Sequence, residues 1–418
     1  MPPFLTVSAR PPPTGDVRRV LRERSFARYL LARFTSAFAM QMQTVAVGIQ
    51  VYALTHDPLD LGIIGLSQFL PFIVCVLLAG HLADRYDRRK ILLACLTVMV
   101  LCAAALAVLT VTGITRPGPV FAVMAVFGIA RAFMAPASNA LMPTLVPAEL
   151  FGNAVALNSS AWQVATIAGP ALGGVLYAAT GPSISYGCVA LLFGISVACL
   201  ARVGVPARVL ATVAPTWHSV VEGLRFVWRR KPLLGAISMD LFAVFFGGAT
   251  ALLPAYASDV LHVGAVGIGW LRAAPGIGAA LTAAWLTLHP IARRAGPVMF
   301  AGVAVFGIAT IVFGISSSFW ASLVALAMLG AADMVSVFVR HVLVQLETPD
   351  AMRGRVGAVN SMFIGASNEF GEFESGLTAA WWGLKSAVVV GGLATLLVAG
   401  LWARLFPDLR QLDRFKGG

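Results

Sequence analysis

The stretch "GHLADRYDRRK", residues Gly80–Lys90, places six formal charges between two long apolar runs. Charged side chains are costly in the hydrocarbon core of a bilayer, so a short charged segment in such a setting is typical of a loop between two membrane-spanning helices. We therefore predict that this stretch joins two crossings and lies outside the membrane.

The composition of the whole chain agrees with a membrane location. Of its 418 residues, 59% are hydrophobic and only 11% are charged, whereas ordinary globular domains contain roughly 45–50% apolar residues. The formal net charge of +12 would suit a nucleic-acid-binding protein, but such a protein needs a soluble basic face, which this chain lacks. We expect the lipid bilayer as a partner and no nucleic acid.

The length of the apolar runs predicts the number of crossings. A helix needs about 20 mostly apolar residues to cross a hydrocarbon core about 30 Å thick. Runs of that length, cut at charges, Pro/Gly pairs and turn signals, predict an all-α integral membrane protein with about twelve transmembrane helices. The predicted crossings begin near Phe26, Asp60, Lys90, Pro119, Phe151, Ser183, Pro232, Val263, Gly296, Ser318, Arg353 and Lys385.

The basic residues predict how these crossings are oriented. If the N-terminus is cytoplasmic, the outside loops receive only Arg116 and Lys385. The cytoplasmic segments then contain Arg18, Arg19, Arg22, Arg24, Arg28, Arg85, Arg88, Arg89, Lys90, Arg225, Arg229, Arg230, Lys231, Arg293, Arg294, Arg353, Arg355, Arg410, Arg414 and Lys416. This skew follows the positive-inside rule, so we expect both termini in the cytoplasm. The N-terminal segment also lacks an apolar run that ends in a cleavage site.

An internal repeat divides the chain into two halves. "PAELFGNAVALNSS" from Pro147 and "PDAMRGRVGAVNSM" from Pro349 share several residues at one constant offset, and the same register pairs Gly169 with Gly371 and Gly174 with Gly376. A second pair of segments, with Gly65 and Pro71 in one and Gly269 and Pro275 in the other, has nearly that offset. The pattern predicts two pseudo-symmetric six-helix bundles, between which a transporter would bind its substrate near the midplane. The predicted units are a tail over 1–25, a bundle over 26–203, a linker over 204–231, a bundle over 232–406 and a tail over 407–418.

The linker contains "WHSVVEGLRFVWRR", in which apolar residues recur at helical spacing with arginines between them. This pattern is typical of an amphipathic helix on the cytoplasmic membrane surface. A plain connecting helix would give the same pattern, and the sequence leaves both interpretations open.

The opening stretch resembles the signature loop of the major facilitator superfamily, roughly G-x-L-a-D-r-x-G-r-k. The matching positions are Gly80, Leu82, Ala83, Asp84, Arg85, Arg88 and Arg89. The resemblance implies a twelve-helix transporter in which Asp84 contacts the start of the eleventh helix, near Arg353–Val356, and latches the cytoplasmic side. Alternatively, the charges only fix topology, although an orientation signal needs no acid. Asp87 stands where the family usually has glycine, which leaves the tight turn of the loop in question.

Two further resemblances narrow the family. "GPALGG", with Gly169, Pro170, Gly173 and Gly174, looks like the end of the fifth-helix motif of the superfamily's antiporters, and it favours export over import. "GIARAFMAPASNALMPTLVP" from Gly128 and "ADMVSVFVRHVLVQLETPDAMRGRV" from Ala332 resemble the branch that contains the enterobactin exporter and related efflux proteins. This resemblance implies export of a small amphipathic compound, such as a siderophore or a drug.

Ionisable residues within predicted crossings are the strongest pointers to function, because insertion of Arg or Asp at a helix centre costs roughly 2.5–3.5 kcal/mol. The candidates for proton coupling and the cavity are Arg131, Asp240, Arg272, Asp333, Arg340, Glu369 and Glu372. At about 100° per residue, Glu369 and Glu372 share a helix face, whereas Glu374 points away from it. Asp333 and Arg340 also share a face, and the repeat register makes Arg131 and Asp333 equivalent. We expect both of these to face the central cavity.

These charges predict a proton antiporter. Burial disfavours a charged carboxylate and a nearby arginine favours it, so movement of an arginine relative to an acid would switch proton affinity. Fixed ion pairs that hold helices together are the alternative interpretation. Weaker candidates for the substrate cavity are Gln41, Gln68, Asn139, Gln163, Asn360 and Phe245.

The sequence predicts a transporter rather than an enzyme, since it contains no phosphate-binding loop, metal-ligand spacing or nucleophile paired with a His/Asp set. We expect no cofactor and no resident metal. The expected partners are a small-molecule substrate and protons, and the protein is expected to be a monomer in a bacterial inner membrane. A lysophospholipid flippase, an importer, a metal-ion transporter and a transport-inactive sensor or scaffold remain as alternatives.

Overall fold

The structure is a computed structural model that describes residues 16–113, 115–204, 217–291 and 293–413. Within these ranges the regular structure is helical, and short 3-10 turns follow α5 and α8 and precede α6. The α-helices are α1 Asp16–Arg22, α2 Arg24–Thr55, α3 Pro58–Arg85, α4 Arg88–Val111, α5 Gly118–Leu141, α6 Phe151–Leu200, α7 Trp217–Arg229, α8 Lys231–Phe246, α9 Leu253–Asp259, α10 Ala265–Leu288, α11 Ala295–Ile315, α12 Phe319–Glu347, α13 Asp350–Trp382, α14 Leu384–Leu405 and α15 Pro407–Arg410.

Twelve membrane crossings can be traced through the described part of the chain. Nine stretches there are long and apolar enough to cross a membrane, and one of them is the 50-residue helix α6. At about 1.5 Å per residue α6 is long enough for two crossings, and Gly181 divides it with non-helical backbone angles (φ 75°, ψ 178°). Helices α10 and α13 complete the set. The predicted all-α fold with twelve transmembrane helices is therefore confirmed.

Eleven of the predicted crossings begin within three residues of a helix start. The predicted start near Ser183 instead lies inside α6, just after Gly181. The predicted loop over Gly80–Lys90 was too long, because α3 continues through Arg85 and α4 begins at Arg88. Alanine, leucine and arginine are good helix formers, so a helix can extend beyond the hydrocarbon core without changing its backbone.

The crossings form two bundles of six. The N-terminal bundle contains α2–α6, and its core joins apolar side chains of α2, α4, α5 and α6. The C-terminal bundle contains α8–α14, with one apolar cluster around Tyr256 and Phe313 and another around Met239 and Met299. Loops and termini lie on two faces of this assembly. We call the face with residues 16–24, 86–87, 201–204, 289–294 and 406–413 the terminal face, and the other side the opposite face.

Two seams join the bundles, and both depend on glycine. In the first, α6 meets α10: a Cβ on Gly269 would lie 2.6 Å from the Pro170 carbonyl oxygen and 3.1 Å from the Gly174 Cα. In the second, α3 meets α13: a Cβ on Gly376 would lie 2.9 Å from the Gly62 Cα. Only residues without a side chain allow backbones to approach so closely. The repeat register relates α6 to α13 and α3 to α10, so the seams are equivalent.

Several contacts between the bundles lie between the midplane and the opposite face. Gly276 packs against Ile167 near the midplane, and Tyr52 bonds Asp259 near the opposite face. The side chains of residues 76–85 lie outside the described part of the chain.

Helix α7 packs on the C-terminal bundle. A Cβ on Gly223 would lie 2.8 Å from the Arg355 carbonyl oxygen, Val227 joins the apolar cluster of α8, α12 and α13, and Glu222 forms an ion pair with Arg355. The opposite side of α7 leaves Trp228 exposed. One face of the predicted amphipathic linker helix is therefore covered by protein.

Candidate functional site

The signature stretch of the sequence connects helices within the N-terminal bundle. The Arg88 guanidinium donates to the Ala140 carbonyl at 3.0 Å, and the Arg89 guanidinium donates to the Leu200 carbonyl at 3.2 Å. Both carbonyls lie near C-terminal ends of helices, where arginine also complements the helix dipole. The predicted gate residues Gly80, Asp84 and Arg85 belong to α3, but their side chains lie outside the described residues, and the Asp84 latch stays a prediction.

Asp87, which replaces the glycine of the family pattern, has a clear local role. Its φ of −59° requires no glycine, and its carboxylate accepts a hydrogen bond from the Arg89 backbone N–H at 2.9 Å. Asp87 is therefore the N-cap of α4. The departure from the motif leaves the turn intact and supplies an alternative way to begin the helix.

The glycine motif of the fifth crossing serves two interfaces. Gly169 and Gly173 face α2, where an added Cβ would lie 2.7 Å from the Gln41 Cβ and 3.0 Å from the Met42 Cα, respectively. Gly174 faces the other bundle, because a Cβ there would collide with the Ala265 carbonyl oxygen. The motif thus holds α2 against α6 and α6 against α10.

An ion pair at the midplane crosses from one bundle to the other. The Arg131 guanidinium on α5 donates to Glu369 Oε1 on α13 at 3.3 Å and to Gln68 Oε1 on α3 at 3.2 Å. The Arg131 side chain is still 32% exposed, against 16% for Glu369. Arg131 therefore connects three helices while part of its side chain remains accessible.

Two more charges complete this group. Glu372 lies one helical turn from Glu369, and its carboxylate is so close to α3 that a Cβ on Gly65 would lie 3.0 Å from Glu372 Oε2. Arg272 on α10 lies near enough to interact electrostatically with both glutamates, and its guanidinium donates to the Thr250 carbonyl at 3.5 Å. We call Arg131, Arg272, Glu369 and Glu372 the interface cluster. It contains two cations and two acids, so its formal charges balance.

Asp333 lies behind this cluster, inside the C-terminal bundle. It shares a cavity of about 150 Å³ with Glu372 and Asn368. No hydrogen bond or ion pair joins its carboxylate to another described residue. Asp333 lies between α8, α11, α12 and α13, and the expectation that Arg131 and Asp333 both face the central cavity stays a prediction.

Arg340 pairs with a different acid from the one that its spacing suggested. It lies seven residues from Asp333 on α12, but its guanidinium bonds Asp240 on α8, with side chains only 3% and 5% exposed. Asp240 is thus part of a buried salt bridge, away from the interface cluster. The neighbouring residue His341 is exposed. Its ring forms a hydrogen bond with the Val337 carbonyl and none with an acid in the described part of the chain.

The weaker cavity candidates are divided between several places. Gln68 belongs to the interface cluster, and Gln163 donates to the Gly276 carbonyl across the α6–α10 seam at 3.1 Å. Gln41 packs against Gly169 within the N-terminal bundle. The remaining three are separate: Asn139 is exposed, Asn360 is buried with its side-chain oxygen unpaired, and Phe245 meets Phe246 edge to face.

Sequence reasoning missed two contacts between the bundles. Phe69 and Phe370 meet edge to face at 4.9 Å beside the interface cluster, and the Tyr52 hydroxyl donates to Asp259 near the opposite face. Each pair joins residues far apart in the chain, and no local pattern indicates them. The structure also contains an apolar groove of about 530 Å³ between α10 and α12 at the opposite face, next to Trp270 and Trp320.

Comparison with known proteins places this architecture in a family. Residues 19–415 match a family model of the major facilitator type, described as a transmembrane secretion effector. The chain belongs to this family. It is 28% identical over 402 residues to the enterobactin exporter of Citrobacter koseri and 27% identical over 401 residues to that of Shigella boydii, with 93% of each chain covered in both comparisons.

Solved structures show the same fold at low identity. A bacterial homologue of the human lysosomal transporter Spinster, in an inward-facing and occupied conformation, matches with a TM-score of 0.76 and 13% identity over 95% of this chain and 99% of that one. The nucleoside transporter NupG, as a mutant, matches with a TM-score of 0.71 and 12% identity over 91% of this chain and 100% of that one. The protein is a multi-pass membrane efflux transporter of the superfamily and not an enzyme.

Proposed function

We propose that this transporter exports a small amphipathic compound of the siderophore or drug class in exchange for protons, by alternating access. The observation that carries the proposal is the Arg131–Glu369 ion pair, which joins the two bundles at the midplane. Transporters built from two repeats bind substrate at this depth and move one bundle against the other. A charge pair across that boundary can respond both to a ligand and to a proton.

The terminal face is the proposed cytoplasmic side. The basic residues concentrate on segments at this face, in agreement with the positive-inside rule. Both termini would then be cytoplasmic in a bacterial inner membrane. We expect an anionic group of the substrate to bind at Arg131, whose side chain is 32% exposed.

Competition at Arg131 would couple the movement of substrate to the movement of protons. An anionic group of the substrate would displace Glu369 from the guanidinium, whereas uptake of a proton by a buried acid of the C-terminal bundle would change the charge that this ion pair faces. Both events act on the contact between the bundles, so binding of the substrate and binding of the proton would be energetically linked. Exchange of one for the other follows, and a single chain contains every group that this mechanism needs, which fits a monomer.

The proposed substrate class combines charge with aromatic or apolar surface. Arg131 and Arg272 would bind anionic oxygens, and the Phe69–Phe370 pair lies beside them for ring contacts. The names of the relatives point to enterobactin, a catecholate siderophore. A lysophospholipid flippase is the second candidate, favoured by the apolar groove next to Trp270 and Trp320.

Transport in proteoliposomes under an imposed pH gradient tests the proposal. The tested compounds would be a catecholate siderophore, a hydrophobic dye and a fluorescent lysophospholipid, with Glu369→Gln and Arg131→Gln beside the unmodified protein. Glu374→Gln is the matched control, because Glu374 lies on the same helix but outside the interface cluster. We expect gradient-driven movement of the siderophore or the dye in the unmodified protein and the control, and loss of this movement in the two cluster variants.

Three outcomes contradict parts of this proposal. Equal transport by Glu369→Gln and the unmodified protein would remove the cluster from the mechanism. Movement of the lysophospholipid alone would favour the flippase. Transport that persists without a pH gradient and follows only a sodium gradient would exclude protons as the driving ion.

A further inference from the structure

A second charged centre lies inside the C-terminal bundle, apart from the interface cluster. It contains the Asp240–Arg340 salt bridge between α8 and α12, and beside it is a void of about 10 Å³. The void is lined by Asp240, Asp333 and Ser336 together with Ala243, Val244, Val303, Phe306 and Ala332. Every lining residue belongs to the C-terminal bundle, so this centre is complete without the N-terminal one.

Two polar atoms at this centre have no partner. Ser336 is 2% exposed, and its hydroxyl makes no hydrogen bond, although the residue lines the void. The Nε of Arg340 is likewise buried and unpaired. Buried polar groups are nearly always hydrogen-bonded, to ordered water if not to protein. A void of about 10–15 Å³ is the smallest that holds a water molecule, and such a water needs two to four polar partners. The two acids and Ser336 provide them.

The charge balance identifies the group that needs a ligand. Asp240 and Arg340 neutralise each other, whereas Asp333 has no cationic partner among the described residues. An isolated carboxylate in apolar surroundings is so costly that it binds a cation or takes up a proton. Asp333 also lines the larger cavity of about 150 Å³ that contains Glu372. It is therefore the residue that connects the buried centre to the interface cluster.

The surrounding helices supply few other charges. The groups that act electrostatically on Asp333 are Asp240 and Arg340, and His341 acts on Asp240. On α13 the nearest acid is Glu372, across the larger cavity. The sequence of α11, Ala295–Ile315, contains no charged residue. The charged groups around Asp333 are thus one neutral ion pair and, across the larger cavity, Glu372.

We propose that Asp333, Ser336 and one water molecule form the site that carries the transported proton, while the interface cluster binds substrate and transmits the movement. The proton passes from bulk water to an Asp333 carboxylate oxygen, where it forms an O–H bond, and it returns to water on the other side. Ser336 positions the water that joins Asp333 to Asp240. This assignment deepens the proposed function, because it separates the proton site from the substrate site.

Infrared difference spectroscopy of the full-length protein in lipid tests the site without any substrate. Spectra in acidic and alkaline buffer report the C=O stretch of protonated carboxyl groups. We expect one such band to disappear in Asp333→Asn, to persist in Glu372→Gln, and to shift in Ser336→Ala because the hydrogen-bonded water is lost. The proposal is overturned if the band survives Asp333→Asn or disappears instead in Glu372→Gln. A response to sodium at constant pH would also overturn it and would indicate a sodium site.

A transport measurement then separates this inference from the broader function. With the compound that the unmodified protein exports, Asp333→Asn should abolish gradient-driven export but retain substrate exchange at equal pH on both sides. Arg131→Gln should lose both activities. Loss of both in Asp333→Asn, in protein of unchanged thermal stability, would contradict the division of roles. If the unmodified protein moved no compound, the proposed function would fail and the infrared result would still decide the proton site.

Discussion

The two bundles share one sequence register, yet their central helix contacts differ in kind. In the N-terminal bundle α2 meets α5 through a neutral hydrogen bond, in which the Tyr29 and Ser138 hydroxyl oxygens lie 2.6 Å apart. In the C-terminal bundle α8 meets α12 through the Asp240–Arg340 salt bridge, and the register makes Arg340 the counterpart of Ser138. The same scaffold therefore holds a neutral contact in one half and a charged contact in the other.

This difference indicates a division of labour. Among the described residues of the N-terminal bundle, the charged side chain at the midplane is Arg131, which points to the other bundle. The C-terminal bundle contains Asp240, Arg272, Asp333, Arg340 and the two clustered glutamates. Most of these charges therefore belong to the C-terminal half, while Arg131 of the N-terminal half forms the ion pair between the two.

The largest expected loss of stability comes from Arg340→Ser, which places in the C-terminal bundle the serine found at the equivalent position of the N-terminal bundle. Arg340→Ser leaves Asp240 buried without its partner, and loss of one member of a buried ion pair costs about 3–5 kcal/mol. Denaturation of the purified protein should show this loss. The double variant Asp240→Asn with Arg340→Ser should recover much of the stability, because no isolated charge remains. Equal losses in the single and double variants would show that the pair is not energetically linked.

The seams between the bundles should be the next most sensitive place. Gly174→Val inserts atoms where the Ala265 carbonyl and Gly269 already lie, and overpacking of this kind costs about 1–3 kcal/mol. Because the clash would separate α6 from α10 near the opposite face, we expect greater labelling of an engineered cysteine at that face as well as lower stability. Gly187→Val is the control on the same helix, since nothing lies within 4 Å of a Cβ there. Similar behaviour of the two variants would contradict the role of the seam.

The neutral hydrogen bond between Tyr29 and Ser138 in the N-terminal bundle should contribute less to stability. Tyr29→Phe removes the hydroxyl that bonds Ser138 but leaves the ring in place. Hydrogen bonds between membrane helices contribute about 0.6 kcal/mol on average, so we expect a loss of that order in denaturation experiments. A loss as large as that of Arg340→Ser would remove the energetic contrast between the bundles.

The smallest effect is expected for Asp87→Gly at the start of α4. This change restores the family glycine and should cost only a few tenths of a kcal/mol. Asp87→Ala removes the capping carboxylate without the tolerance of glycine for the cap position, and it should cost about 1 kcal/mol. Thermal unfolding of both variants in parallel measures the difference. Greater stability of the alanine variant would show that the carboxylate does not cap the helix.

The sequence predicts the crossings well because the bilayer imposes a length and a polarity on each of them. It predicts less about which charges meet. The seven-residue spacing on α12 suggested a link between Asp333 and Arg340, whereas Arg340 pairs with Asp240 because α8 packs against α12, a contact that no local pattern specifies. The pairing of Arg131 with Glu369 likewise depends on how the bundles are closed. Ser336 could have been found, since it lies three residues after Asp333 and four before Arg340 on one helix face.

The C-terminal segment has a practical consequence for handling the protein. The N-terminal amides of α11 are bonded by this segment: Gly296 N–H donates to the Leu412 carbonyl at 2.9 Å, and Arg294 N–H donates to the Asp413 carboxylate at 3.2 Å. These residues act as an external cap for a helix more than a hundred positions earlier in the chain. A purification tag or a fluorescent fusion should therefore be joined after Gly418 through a spacer, and a truncation that removes Leu412 would uncap the ninth crossing.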